Sequence, residues 1–377
     1  MTSRRKHRRA LGRRRETGTR DPGSTRTAHP RAALLVALAA AVLAGCGAST
    51  PPDTGLMPAS PRSVPLGVFH GSGATRDVAA FGTRLGRRVD LVHDYLGKKS
   101  WAAIADVSFL ADRWRQAGFA GRLVLTVPMI PDSGGSLASG AAGRYNAHFR
   151  LLALRLVSAG QARATLRLGH EFNGTWFPWT INVPDGPRDY AAYWRQIVRT
   201  MRSVKGERFR FDWAPNAGSS YVGGNGRQLS AASAYPGDAY VDYIGLDVFD
   251  QSWADDTSSA SERWKHLVRQ KDGLNWQSRF AKAHHKPMTF PEWGLVERHD
   301  SRGGGDNPYF VERMHEWIQT HPVAYHLYFE SRDPNGDYRV FGGSFPKAAK
   351  RFIRDFGAQR APAAARAGAS GAGAPVG

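Results

Sequence analysis

The stretch RATLRLGHEFNGTWFPW, residues 163–179, begins as a short β-rich run. It closes on His170 and Glu171, with Trp176, Phe177 and Trp179 just beyond. A helical stripe follows: after Asp189, the side chains of Tyr190, Trp194, Ile197, Val198 and Met201 fall on one face. Strand, polar strand end, loop and amphipathic helix together form the repeating unit of an α/β protein. The unit recurs along the chain. The other strand candidates are PLGVFHG from Pro65, VDLVHDY from Val89, RLVLTVPM from Arg122, RFRFDWAPN from Arg208, YVDYIGLDVFD from Tyr240, KPMTFPEWG from Lys286 and VAYHLYFES from Val323. Near-continuous apolar runs of this kind suit parallel strands buried on both faces. Two more helices are predicted. One carries the stripe Tyr145, Phe149, Leu152 and Leu156 and stops near Gly160; the other opens on Asn307-Pro308 and presents Phe310, Met314, Trp317 and Ile318. Eight strands alternating with helices over residues 65–357 predict an α/β protein of one domain, a (β/α)8 TIM barrel. No GxGxxG follows the first strand, which argues against a dinucleotide-binding sheet.

Composition bounds that domain. Of 377 residues, 41% are hydrophobic and 11% aromatic, enough for a sizeable core. The net charge of +20 is uneven, because residues 1–45 hold eleven Lys and Arg against only Glu16 and Asp21. No dense basic tract follows, so no nucleic-acid partner is expected. RAALLVALAAAVLAGC, Arg31–Cys46, is a positively flanked apolar run, too short and Ala-rich for a membrane span. It reads as the core of a secretory signal, and the length of the basic head fits either a misassigned start or a twin-arginine leader. Its end, Leu43-Ala44-Gly45-Cys46, resembles the lipobox of bacterial lipoproteins, which implies lipidation of Cys46. Cys46 is the only cysteine, so an intrachain disulfide is ruled out. Residues 1–46 are thus expected to be the leader, the Pro/Ser-rich 47–64 a tether, and 358–377 a disordered Ala/Gly/Pro tail. The expected protein is a monomer, either secreted or on the outer face of the cell membrane, touching the membrane by its lipid alone.

In a (β/α)8 barrel, functional groups project from the C-terminal strand ends. Polar residues gather at those ends here: His70, His93-Asp94-Tyr95, His170-Glu171, Trp213 to Asn216, Asp247 and Glu292. Glu171 and Glu292 end the fourth and seventh strands, which face one another across a barrel mouth. Glycoside hydrolysis needs such a pair: one carboxyl protonates the leaving oxygen while the other attacks the sugar or activates water. A separation of about 5 Å gives retention and one of about 9 Å inversion. A single glutamate at a strand end is more often an ion-pair partner. Two in one register, with aromatics beside them, read as a site. Sugars offer an apolar C–H face to indole rings, so the loop residues Trp176, Phe177 and Trp179 are candidates for stacking. Gly174 stands where the second histidine of HExxH would be, and no G-x-S-x-G elbow occurs, which disfavours metallohydrolase and serine-hydrolase readings. No metal and no cofactor are expected.

These segments resemble glycoside hydrolase family 26, barrel glycosidases of clan A that include endo-β-1,4-mannanases. RLGHEFNGTWFPW matches the family's acid/base segment in its Arg-x-x-His-Glu order, its Asn-Gly and its flanking tryptophans. His170 precedes the acid where most of the clan has Asn. KPMTFPEWG matches the nucleophile strand, and YPGDAYVDYIGLDVF, residues 235–249, the sixth-strand signature. The resemblance runs from about Pro65 to the eighth strand. It implies that Glu171 is the acid and then the base, that Glu292 is the nucleophile, and that a β-linked polysaccharide, with β-1,4-mannan foremost, is cleaved internally with retention. Sugar contact is expected from His170, Arg167, Asn173, Trp176, Trp179, Asn216, Asp247, His93 and Tyr328.

Several details follow from the strand geometry. Arg167 shares a strand face with Glu171 and is expected to turn inward and balance Glu292. The same alternation sends His170 the other way unless a bulge or strand end redirects it. Glu171 needs a raised pKa to keep its proton, and the apolar side chains of Phe172, Trp176 and Trp179 could supply the desolvation. One departure stands out: the family commonly has a tyrosine two residues after the sixth-strand Asp, its hydroxyl bonding the nucleophile, and here that residue is Phe249. This raises an alternative, a weakly active or non-catalytic carbohydrate-binding barrel. In the eighth strand, Tyr328 or Phe329 stands where relatives place a sugar-platform tryptophan.

Overall fold

Eight parallel strands close into a barrel: β1 (Leu66–Phe69), β2 (Leu91–Tyr95), β3 (Arg122–Val127), β4 (Thr165–Leu168), β5 (Arg210–Trp213), β6 (Tyr243–Gly245), β7 (Met288–Gly294) and β8 (Val323–Phe329). Each pairs with the next, and β8 returns to β1 with Leu66 opposite His326 and Phe69 opposite Phe329. All eight lie inside the segments expected from sequence. The computed structural model describes residues 64–358, apart from 118, 120–121, 219–220, 223–227 and 255–258. Cys46 and nearly all of the expected leader, tether and tail lie outside the described residues.

The helices pack outside the barrel: α1 (Thr75–Leu85), α2 (Ser108–Gln116), α3 (Asn146–Ser158), α4 (Gly186–Arg202), α5 (Ala260–Arg269), α6 (Leu274–Ala283), α7 (Pro308–Thr320) and α8 (Pro346–Phe356). Helix α4 starts at Gly186, before the Asp189 start expected, because proline in the first turn gives up an N–H that has no helical partner there. It buries Tyr190, Trp194, Ile197, Val198 and Met201, as its stripe predicts, and Tyr193 as well. In α7 the Asn307 side chain accepts from Phe310 N at 3.3 Å, and Phe310, Met314 and Ile318 are buried while Trp317 is half-buried.

The fifth unit departs from strict alternation. After β5 the described residues form no α-helix, only an antiparallel pairing of Tyr221–Val222 with Gln228–Leu229 and the short 3-10 turns Ala231–Ala234 and Asp238–Tyr240. Helix α6 covers that gap: Phe280 packs against Trp213 (5.7 Å) and Tyr235 (5.1 Å), with Trp276 stacked on it at 5.2 Å.

Inside the barrel, the chemistry changes along the strand direction. Leu91, Val124, Tyr325 and Leu327 form an apolar layer. Two residues on, the same inward faces carry His93 on β2 and Thr126 on β3, level with Arg167 on β4. The interior therefore turns from hydrocarbon to ionic toward the C-terminal mouth, where the site forms.

Candidate active site

Glu171 sits just past the end of β4, on a turn rather than in the strand. Gly169 (φ 46°) and Glu171 (φ 49°) are both left-handed. Gly169 has no freedom to be larger, since a Cβ there would lie 2.4 Å from Met129 Sδ. A left-handed glutamate is a conformation that only its surroundings can enforce, and its N–H is held by the Ala214 carbonyl at 2.9 Å. Asn216 Nδ2 donates to Glu171 Oε1, and Trp176 Nε1 donates to Oε2 at 2.7 Å. Burial first, and then the negative charge of Glu292, raises the Glu171 pKa to about 7. Arg167 and the two hydrogen bonds oppose that rise without cancelling it.

Glu292 reaches the same mouth through an irregularity. Along β7 the register advances three residues, Phe290 to Trp293, while β8 advances two, His326 to Tyr328. Strict alternation from inward Thr289 would turn Glu292 outward, and this bulge at Pro291 restores it to the interior. Its Oε1 accepts from Arg167 Nη1 and from the Tyr95 hydroxyl. Arg167, fully buried, also donates through Nη2 to Asp247 and through Nη1 to Thr126 Oγ1 at 3.2 Å. Burial works against its charge, but Asp247 and Glu292 outweigh that and hold the guanidinium ionised. Asn216 pairs in turn with Asp247, so one chain of contacts runs from Glu171 through Asn216, Asp247 and Arg167 to Glu292.

The other expected residues divide between the site and its support. Trp176 is 53% exposed, lies against Gly174, where a Cβ would meet its ring at 2.3 Å, and keeps an open indole face beside Glu171. His170 is redirected by the strand end: its ring packs on Phe177 (4.4 Å) and Tyr95 (5.7 Å). Burial lowers the pKa of His170 and His93 well below the usual histidine range, and the Arg167 charge adds to this, so both are neutral. His93 is itself buried, its Nε2 2.7 Å from Thr126 Oγ1.

Six expected sugar contacts are placed differently: Arg167 and His93, buried as described above, and four more. Trp179 is buried, donating to the His170 carbonyl at 2.7 Å and stacked on Phe177, so it braces the loop. Asn173 is buried and clasps the Asn216 backbone through two 2.8 Å hydrogen bonds. Asp247 is buried against Arg167. Tyr328 points out of the barrel, donating to the Tyr338 carbonyl at 3.0 Å and packing on Trp293 and Phe352, because alternation along β8 gives Phe329 the mouth. Phe329 stacks there on Phe69 at 5.2 Å. Phe172 also turns away, toward Tyr190 and Trp213. Tyr95 is one of the polar residues at the strand ends but not one of the expected sugar contacts, although period-two spacing from Leu91 and His93 puts it on the inward face.

Residues 151–284 match the family model for Glycosyl hydrolase family 26. The matched span takes in Arg167, Glu171, Asn216 and Asp247 and stops short of Glu292. The chain is 24% identical over 290 residues to Endoglucanase H of Acetivibrio thermocellus, covering 74% of this chain and 29% of that one. It is 27% identical over 205 residues to a mannan endo-1,4-beta-mannosidase of Bifidobacterium adolescentis, covering 52% and 20%. The chain thus spans less than a third of the length of these curated relatives. Among solved structures, a double mutant of the Cellulomonas fimi endo-beta-1,4-mannanase superposes with a TM-score of 0.56 at 21% identity, over 78% of this chain and 70% of that one. A family 26 beta-mannanase from Bacteroides ovatus gives 0.51 at 17%, over 78% and 88%. At such identities the likeness speaks for the (β/α)8 fold.

Proposed function

We propose that this protein is a retaining, endo-acting glycoside hydrolase of a β-linked polysaccharide, with β-1,4-mannan the first candidate. One observation carries the reading: two glutamates at one barrel mouth occupy opposite environments. Glu171 holds its proton up to about pH 7, while Glu292 lies against a buried guanidinium. Two carboxyls in such different surroundings divide into an acid and a nucleophile. In the first step Glu292 attacks the anomeric carbon as Glu171 protonates the departing glycosidic oxygen. In the second, Glu171 takes a proton from water, which displaces Glu292. The open face of Trp176 suits a sugar ring, and a second exposed indole, Trp253 on the loop after β6, suits a substrate longer than one residue. The names of the two curated relatives point to β-1,4-mannan and to glucan, so both belong in the first assay.

The test is incubation of the domain with β-1,4-mannan, mixed-linkage β-glucan and β-1,3-xylan, following the first-formed anomer by NMR. Internal cleavage giving the β anomer supports the reading. An α product rejects retention, and release of single terminal sugars rejects endo action. Binding without turnover supports the non-catalytic alternative instead.

The acid makes the pH dependence asymmetric. Because Glu171 must be protonated to act, turnover is expected to fall as pH rises through about 7. Trp176→Phe keeps a ring but removes a donor that favours the ionised acid, so the alkaline limb should move to higher pH. Trp176→Ala should in addition raise KM on polymer by roughly two- to tenfold, the value of one aromatic contact. An unmoved limb and unchanged KM would remove Trp176 from the site.

Export and anchoring are part of the same proposal, with residues 65–357 as the hydrolase domain behind a 47–64 tether and the protein acting as a monomer. The lipobox-like end at Cys46 supports it. Cys46→Ser should shift the protein from the membrane fraction to the soluble one, and an unchanged distribution rejects the anchor.

A further inference from the structure

We propose that Tyr95 is the positioning residue for Glu292, supplying from the second strand the hydroxyl that the family resemblance places on the sixth, where this chain has Phe249. The inference rests on the glycosidase reading above. Tyr95 and Arg167 both donate to Oε1 of Glu292. Oε2 takes no hydrogen bond from a described residue, which leaves that oxygen for the anomeric carbon. The Tyr95 ring is held on several sides, by Phe69 at 4.8 Å, His93 at 4.6 Å and His170 at 5.7 Å, so the hydroxyl arrives preorganised. Burial and the neighbouring Glu292 charge raise its pKa well above the usual tyrosine value, so it is a neutral donor.

Phe249 cannot do this. Its phenyl ring packs on Phe329 (5.8 Å) and Tyr338 (5.1 Å) and has no donor. Its backbone, however, pairs with Gly294, two residues beyond Glu292, so a hydroxyl at 249 remains within the same neighbourhood.

The placement has a kinetic consequence. In the first step the Glu292 Oε2–carbon bond forms while the glycosidic carbon–oxygen bond breaks and the aglycone leaves with the Glu171 proton. Glu292 is then an ester and Oε1 its carbonyl oxygen, a weaker acceptor than a carboxylate. In the second step a water oxygen bonds to carbon, the carbon–Oε2 bond breaks, and the water proton passes to Glu171. Glu292 departs as a carboxylate, and the Tyr95 hydrogen bond strengthens as it does so. Tyr95 therefore assists the second step more than the first.

The experiment compares the full chain with Tyr95→Phe, Phe249→Tyr and the double variant, on polymer and on an aryl glycoside with a good leaving group. Tyr95→Phe should lower kcat roughly ten- to hundredfold, as loss of a hydrogen bond to a charged group does. KM should fall with it, a burst of phenol should appear, and intact mass should show protein carrying one glycosyl unit. A packing defect alone would not produce that split. Adding Phe249→Tyr should recover part of kcat and shrink the burst. Tyr95→Phe with kcat and KM within about twofold of wild type, or a loss that Phe249→Tyr leaves untouched, overturns the proposal alone. A wild-type protein that opens no glycan overturns the glycosidase reading and this inference with it.

Discussion

Glu292→Gln and Glu171→Gln are each expected to remove polysaccharide hydrolysis, by a factor on the order of 10³ or more. The two losses should differ in kind. Without Glu292 no glycosyl-enzyme forms, and the quality of the leaving group makes no difference. Without Glu171 the first step fails only where the aglycone needs a proton, so an aryl glycoside with an acidic phenol should still glycosylate Glu292. Azide needs no general base and should therefore release the β-glycosyl azide from Glu171→Ala. In Glu292→Ala it would occupy the vacated face and give the α-glycosyl azide. That pair of opposite stereochemical outcomes assigns acid and nucleophile separately, which loss of activity alone cannot do. Full activity in either variant would remove that glutamate from the mechanism.

Misfolding is an unconvincing escape from this test, for a reason that can itself be measured. The folded Glu171 pKa, about 7, lies above the 4.5 usual for a glutamate. Between those values the folded state keeps a proton that the unfolded state releases, so this group's contribution to stability falls as pH rises from about 4.5 to about 7. Glu171→Gln removes that dependence. The variant should be at least as stable as wild type above pH 7 while inactive, as thermal unfolding at pH 5 and pH 8 would show. A variant less stable at pH 8 would mean that the hydrogen bonds of the carboxylate outweigh its desolvation.

The strands and most helices were legible in the sequence because burial on both sides writes itself into composition: β3 and β7 are buried along nearly their whole length. The glutamates were legible because they stand at strand ends. What escaped was side-chain direction wherever the backbone leaves strict alternation. The β7 bulge turns Glu292 inward against the period-two rule, and left-handed residues at 169 and 171 place His170 and Glu171 by turn geometry. Trp179 and Trp176, three residues apart on one loop, look equivalent as letters, yet one braces the loop and the other faces solvent. Alternation alone puts Tyr95 on the inward face at its strand end, but nothing in the linear sequence ties its hydroxyl to Glu292. Phe249 read as a loss because its replacement comes from a strand distant in sequence, and only the closed barrel brings Tyr95 to Glu292.

Arg167→Ala is expected to destabilise the domain by about 3–5 kcal/mol, a larger effect than most truncations that only open a cavity. The reason is electrostatic. Arg167 is fully buried and is the ion-pair partner of both Asp247 and Glu292, which are themselves buried. Removing it strands two carboxylates where water cannot replace the lost cation. The loss should grow with pH, since burial already raises the Asp247 pKa and Arg167 is the charge that opposes this; without it, deprotonation favours the unfolded chain more strongly. Arg167→Lys should fall between the two, because one ammonium cannot reproduce the fork that spans both acids. The decisive comparison is Arg167→Met with Asp247→Asn and Glu292→Gln. Neutralising all three groups should recover most of the stability lost in the single variant, while leaving the protein inactive. Denaturant unfolding of this series measures the coupling directly. A single Arg167→Ala variant within about 1 kcal/mol of wild type would mean that the site's charges are solvated rather than paired, and the electrostatic division between Glu171 and Glu292 would lose its source.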